Sequence, residues 1–433
     1  MVKFIYSSIL MPVASLFFGF YSNFNKKAEE RESNWLKLLL AVPKKKKLRI
    51  LVHASSMGEF EQAKPLIEEI KKIYPKCEII ASFFSPSGLQ NQKNYKLIDY
   101  SVYMPIDTIE NAQKYAWIIN PDISIFVRYD LWLNTLTELS KIGSVNYLIC
   151  ATKPASSLFL KSSIAKNYLK LCFDNFQTIF TVGESHTEYI SQYVTSSVVE
   201  TLSDTRADRI LNIVNLSNAD KIIPDNILEG CVTFIAGSSW QKDEEIISEA
   251  VNEINRNRFI FRVIYAPHEP TKENIIRIEN MHPKVIKLSV IINEISIFDN
   301  EKVRHNLKDA HIVVDSIGKL LRLYANADLV YIGNGFGVSV HSTSEPAGYG
   351  VPIACGPNIN KMPDAVALNK TGALTIIRNS NDFKIWLDKM IKDSDYRKNT
   401  GKLAEDFILS ASGSSSKICE IIINHYNQKN SKD

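Results

Sequence analysis

Glu59 stands where an apolar run, LRILVHA, passes through SSMGE into the amphipathic EFEQAKPLIEEIKKIY. A carboxylate in the first turn of a helix is held ionised by the helix dipole, which suits a general base taking a proton from a hydroxyl. A helix-start charge with no chemistry fits the same position. Further on, Gly237-Ser238-Ser239 follows the run CVTFIA and precedes Asp243, Glu244 and Glu245. Its hydroxyls and N–H groups suit a phosphate, and helix capping is the competing explanation. Finally, ADLVYIGNGFG carries Gly333, Gly335 and Gly337 into HSTSEPAGYG. Glycines before a helix N-terminus offer free N–H groups to a phosphate, and Glu345 just inside that helix suits a ribose diol. A tight turn followed by a helix cap is the alternative.

Such residues need a scaffold that gathers strand ends. LRILVHA, CEIIASFF, VYMPID, PDISIFVR, SVNYLIC and FQTIFTVG are apolar runs separated by helical or turn-rich segments, the pattern of a parallel sheet buried on both faces. CVTFIAGSS, RFIFRVIYAP, KVIKLSVI, HIVVDS, ADLVYIGNG and VPIACGP repeat it. A length of 433 residues exceeds one hydrophobic core, and 45% apolar residues can fill two. The expected fold class is α/β, with two Rossmann-like doubly wound domains over residues 48–210 and 231–433, joined by 211–230. The second domain includes the terminal helices, which could pack back on the first. Ligands of such sheets lie at the carboxyl ends of the strands, where Glu59 falls.

Residues 4–21 carry no charge and are followed by Lys26, Lys27 and Arg31, the pattern of a membrane anchor over residues 1–25. The run is short for a bilayer and Pro12 interrupts it, so a tilted span, an interfacial helix and a helix packed on the protein all fit. A basic linker over 26–47 ends in Lys44, Lys45, Lys46 and Lys47, which suit anionic headgroups on the cytoplasmic side. A net charge of +4 gives no field for nucleic acid. Six scattered cysteines read as reduced thiols, and neither they nor the eight histidines have metal-ligand spacing, so no metal is expected. Asp393-Ser394-Asp395 lies in a lysine-rich polar helix and reads as a solvated face. Oligomeric state is not legible.

Several of these segments, in order, resemble the Kdo transferases, which add 3-deoxy-D-manno-octulosonic acid to lipid A precursors. HASSMGEFEQAKPLI resembles the family's HA-S-GE segment, SDTRADRI its GDTR-DR motif and GSSWQKDEE its S-T/S-H-x-x-E-E segment. YAPHEP falls at its proline-histidine turn, and residues 315–357 are similar to its longest motif, which ends in EP-A-G-P-GP. The resemblance implies a GT-B fold, a CMP-Kdo donor, inversion, and neither metal nor cofactor. It implies Glu59 as the base, with Ser238, Ser239, His268, Ile317, Gly318, Lys319 and Ser342 near CMP and Glu345 at its ribose. Lys44, Lys45, Lys46 and Lys47 would meet the lipid A precursor (lipid IVA) at the cytoplasmic face of a Gram-negative inner membrane. Departures from the family are His268-Glu269, Lys319, the run from Ser339 to Ser344, and Asp130 in VRYDLWLN, where a glutamate is usual. Two other functions fit parts of the pattern: a GT-B enzyme using another nucleotide sugar, or a non-catalytic glycolipid-binding membrane protein.

Overall fold

Apolar runs bounded by turns become strands buried on both faces, and the computed structural model, which describes residues 1–153, 162–297 and 300–431, arranges them in two sheets. The first contains β1 (Arg49–His53), β2 (Glu78–Phe83), β3 (Tyr100–Tyr103), β4 (Ile123–Val127), β5 (Val145–Ala151), β6 (Thr178–Thr181) and β7 (Val198–Thr201). The second contains β8 (Val232–Ser239), β9 (Phe261–Pro267), β10 (Val285–Lys287), β11 (His311–Val313), β12 (Leu329–Ile332), β13 (Ile353–Cys355) and β14 (Leu374–Ile376). All pairings are parallel, in the orders β3-β2-β1-β4-β5-β6-β7 and β10-β11-β9-β8-β12-β13-β14. In each, strand order reverses beside the first strand, β1 next to β4 and β8 next to β12. That reversal opens a crevice at the carboxyl edge. The α/β, doubly wound expectation is met in both halves.

Two compact units divide the chain, residues 1–209 with 412–433 and residues 210–411. The last helix, Ser414–Asn430, therefore groups with the first unit and not with the second, where the sequence reading had put it. Its Ile418, Cys419, Ile422 and Ile423 share a core with Phe60 and Ile67 of helix Met57–Ile73. Asp208 fixes its start by accepting from the Gly413 and Ser415 N–H groups at 2.6 and 2.8 Å. Residues expected to be linker are ordered too: helix Arg206–Ala219 occupies the first half of 211–230.

Residues Val2–Ser22 are helical throughout and are the one described helix apolar and long enough to cross a membrane, with a mean hydropathy of 1.6. Both parts of the segment touch the first unit. Tyr6 donates to Asp107 at 2.8 Å, Ser7 donates to Asn134 at 2.5 Å, and the Phe18 ring lies 6.2 Å from Phe84. Between these contacts Leu16 and Phe17 are 77% and 68% exposed. The expected basic linker over 26–47 is mostly the helix Lys26–Leu40, whose buried Arg31 stacks over Phe84 at 4.1 Å.

Candidate active site

Glu59 sits just beyond the carboxyl end of β1, at position N3 of helix Met57–Ile73. The sequence Ser56-x-x-Glu59 closes a capping box: the Ser56 N–H donates to Glu59 Oε2 at 2.9 Å, and Ser56 Oγ accepts from the Glu59 N–H at 3.4 Å. One carboxylate oxygen is thereby held, while Oε1 makes no hydrogen bond among the described residues. Glu59 is 7% exposed. Burial raises its pKa first and the neighbouring Asp130 charge second, against the Ser56 hydrogen bonds and Arg128. The cap and the base explanations are therefore compatible, since capping orients the group and burial makes it a better proton acceptor.

Asp130 is a second buried carboxyl on this edge, pushed up to about 6 by burial despite accepting from the Ser55 N–H at 3.0 Å. His53 Nε2 lies 3.6 Å from Asp130 Oδ2, and burial holds that imidazole neutral, with a pKa of about 3. Arg128, the residue after β4, has φ +67°, a conformation that non-glycine residues adopt where surroundings force it. The SDTRADR motif secures the helix that carries Glu59. Asp204 accepts from Gln62 Nε2 at 2.9 Å on both oxygens, and Thr205 Oγ1 donates to Gln62 O at 2.6 Å. Burial would raise the Asp204 pKa, but Arg206 and these bonds outweigh it and hold it low.

The four lysines are elsewhere. Lys44, Lys45, Lys46 and Lys47 precede β1, at the amino edge, with Lys45 paired to Asp122 at 2.8 Å and Lys47 3.9 Å from Glu78. Five residues of strand, about 17 Å, separate them from the Glu59 edge. The structure does not bring them to the same group on a ligand.

On the second sheet, the positions named from the sequence gather at the carboxyl edge with three different fates. Ser239 is committed, its hydroxyl donating to Glu244 Oε1 at 2.9 Å, and Glu244 in turn holds Arg277 at 2.6 Å. Asp243 caps as the alternative reading expected, accepting from the Trp240 and Asn334 N–H groups and from Tyr331. Ser238 follows with φ +50°, and Gly318, at φ +84°, has open space where a side chain would stand. Ile317 beside it is 84% exposed, and Lys319 makes no ion pair among the described residues.

Gly333 and Gly335 are required by close approach. A Cβ on Gly333 would lie 2.3 Å from Ser238 O, and one on Gly335 2.5 Å from Gly356 N. The expected helix after them is a single turn, Ser344–Ala347, too short for a strong dipole, with Ser342 and Glu345 half-buried. Ser344 donates to Asp364 at 2.6 Å.

His268 joins a ring stack that was not foreseen. Its imidazole lies 5.1 Å from Trp240 and 4.4 Å from His341, nearly parallel to both. Trp240 Nε1 donates to His341 Nε2 at 3.2 Å, which leaves the His341 proton on Nδ1. Burial first, and His268 second, depress the pKa of His341. Trp240 and His341 lie a hundred residues apart, so no spacing rule links them; the only sequence signal was their place in two separate motifs.

Comparison with known proteins bears on what these two edges do. Residues 18–209 match the family described as 3-deoxy-D-manno-octulosonic-acid transferase (kdotransferase). Curated relatives carry the match across most of the chain. The 3-deoxy-D-manno-octulosonic acid transferase of Rickettsia prowazekii is 23% identical over 82% of this chain and 76% of its own length. That of Chlamydophila psittaci is 25% identical over 77% and 75%. The first half of the chain thus resembles the Kdo transferases by family model, and most of its length resembles them by curated relatives. The relatives it matches are named as transferases of 3-deoxy-D-manno-octulosonic acid. Solved structures agree on its GT-B fold. UDP-GlcNAc 2-epimerase from Neisseria meningitidis, bound to UDP-GlcNAc, superposes with a TM-score of 0.59 at 14% identity, covering 87% of this chain and all of the other. A glycosyltransferase from Rickettsia africae gives 0.52 at 12% identity, covering 89% and 99%. Both likenesses speak to the fold alone.

Proposed function

We propose that this chain is a Kdo transferase that moves Kdo from CMP-Kdo to a hydroxyl of a lipid A precursor, with inversion and without metal or cofactor. The observation that carries the reading is Glu59: buried, oriented through one oxygen by its capping box, and basic because of burial and Asp130. The acceptor oxygen attacks the anomeric carbon of Kdo as Glu59 takes its proton. The bond from that carbon to the phosphate oxygen breaks, and CMP departs with the electron pair. On the second unit, the Ser238 and Ile317–Gly318 backbone, with Lys319 and His268, faces the phosphate, and Ser342 and Glu345 face the ribose. Fixed N–H groups and a cation stabilise the leaving phosphate charge.

The N-terminal segment supports a membrane origin for the acceptor. Tyr6 docks on Asp107 and Ser7 on Asn134, residues that follow β3 and β4, so the apolar helix lies at the Glu59 edge of the sheet. A helix held to the protein at both parts lies along a membrane surface, with Leu16, Phe17 and Phe20 in the acyl boundary. A lipid acceptor in that surface then reaches Glu59, on the cytoplasmic face of the inner membrane where a soluble nucleotide sugar is available. Lys44, Lys45, Lys46 and Lys47, on the far edge, are left out of acceptor binding in this reading.

The test is donor discrimination by the purified chain in lipid vesicles. Incubated with a lipid A precursor and either CMP-Kdo or a series of UDP-sugars, it should yield a lipid heavier by whole Kdo residues from CMP-Kdo alone. A product made from a UDP-sugar, or none from CMP-Kdo, overturns the reading. The same mass spectrum counts the Kdo residues added.

A further inference from the structure

The second unit holds a cavity of about 470 Å³ at the edge opposite its donor residues. Cys231, Arg262 and Asp309 line it, and they fall at the beginnings of β8, β9 and β11, the amino ends of those strands. Nucleotide ligands of doubly wound sheets sit at the other end, so this space is separate from the transfer site.

Arg262 forms its most constrained wall. The side chain is 4% exposed, and two of its nitrogens are tied to the backbone, Nε to Ala310 O and Nη2 to Leu307 O, both at 3.1 Å. Those bonds fix the plane of the guanidinium. Its third nitrogen, Nη1, has no hydrogen-bond partner among the described residues. A buried charged donor is ordinarily satisfied, and an unsatisfied one signals a missing acceptor. The rim is mixed in sign. Burial opposes the charge on Arg262 and Asp309 favours it, Arg304 is offset by Glu229 at 3.2 Å, and Glu301 adds a carboxylate to the rim. Lys308, exposed on the same rim, makes no ion pair among the described residues.

We propose that this cavity binds a small oxyanion, a phosphate or a carboxylate, on Arg262 with Lys308 supplying the second cation. Planar guanidinium donors match the paired oxygens of either group, while a lysine adds a point charge.

Cys231 supplies a local readout, because it lines the cavity and is the one cysteine of the six that is not buried. Alkylation of the full-length chain by iodoacetamide, followed at the Cys231 peptide by mass spectrometry, is compared in chloride, inorganic phosphate and acetate at matched ionic strength. At tenfold excess over its dissociation constant, a bound anion slows the reaction about elevenfold, since only the free fraction reacts. The anion that acts at lower concentration identifies the oxyanion class. Lys308→Gln, at an exposed position that the fold does not rely on, should weaken the protection, and Arg262→Gln should abolish it. Equal alkylation rates in the three salts, or protection that survives Lys308→Gln undiminished, would overturn the proposal. Because Lys308→Gln leaves the core intact, the test stands even where Arg262→Gln fails to fold.

Discussion

At the carboxyl edge of the first sheet the polar groups are carboxyls sunk among apolar neighbours. At the same edge of the second, the buried carboxyls Asp243 and Glu244 are spent on caps and an ion pair, and hydroxyls, imidazoles and the open Gly318 remain. The strand orders, 3-2-1-4-5-6-7 and 3-4-2-1-5-6-7, differ at one edge but share the reversal beside the first strand, so topology supplies the crevice in both cases and loop residues decide its chemistry. Burial on the first edge raises the basicity of Glu59. Packing on the second edge, glycine against backbone, brings the β8 and β12 loops within van der Waals reach, with the Gly333 and Gly337 N–H groups donating to Gly237 O and Asn334 O.

The contrast predicts separable defects. Glu59→Gln keeps a carbonyl oxygen for the Ser56 N–H and so keeps the cap, but it removes the base. Transfer should fall about 10²–10⁴-fold in kcat while calorimetry finds CMP affinity unchanged. Gly333→Ala does the reverse kind of damage. With its Cβ 2.3 Å from Ser238 O, the β8 and β12 loops must separate, costing about 1–3 kcal/mol in denaturant unfolding and weakening CMP binding. If Gly333→Ala bound CMP normally, the second edge would not be the donor site.

Smaller effects sharpen the first edge. Tyr6→Phe removes a buried hydrogen bond to Asp107 and should cost about 1–2 kcal/mol, with faster proteolysis of the N-terminal segment in detergent. Unchanged proteolysis would detach that helix from the account. Asp130→Asn removes a negative neighbour that raises the Glu59 pKa, so the acid limb of kcat against pH should move to lower pH. A limb that stays in place, or moves up, contradicts their coupling.

Much of this was legible beforehand, for physical reasons that differ by element. Continuous apolar runs revealed both sheets because strands buried on two faces need no alternation. Glu59 was legible as a helix-start carboxylate, and the family resemblance pointed to a base, but its burial and its neighbour Asp130 are products of tertiary packing. The Trp240, His268 and His341 stack was hidden because it joins three loops far apart in sequence. The place of Lys44, Lys45, Lys46 and Lys47 was not legible from charge: strand β1 carries the chain from one edge of the sheet to the other, so nearness in sequence to Glu59 is distance in space. The terminal helix was assigned by chain order to the second domain, whereas its apolar face fits the helix of Glu59 in the first.

The central claim is that Glu59 takes the acceptor's proton. Its most direct test is kcat against pH for the wild-type chain and Glu59→Gln, with CMP-Kdo and lipid A precursor saturating. The wild type should show an acid limb above the ordinary glutamate range, because burial and Asp130 raise that carboxyl. The variant should lose most of its rate and lose the limb with it. An equally fast variant, or one that keeps the same limb, would contradict the assignment.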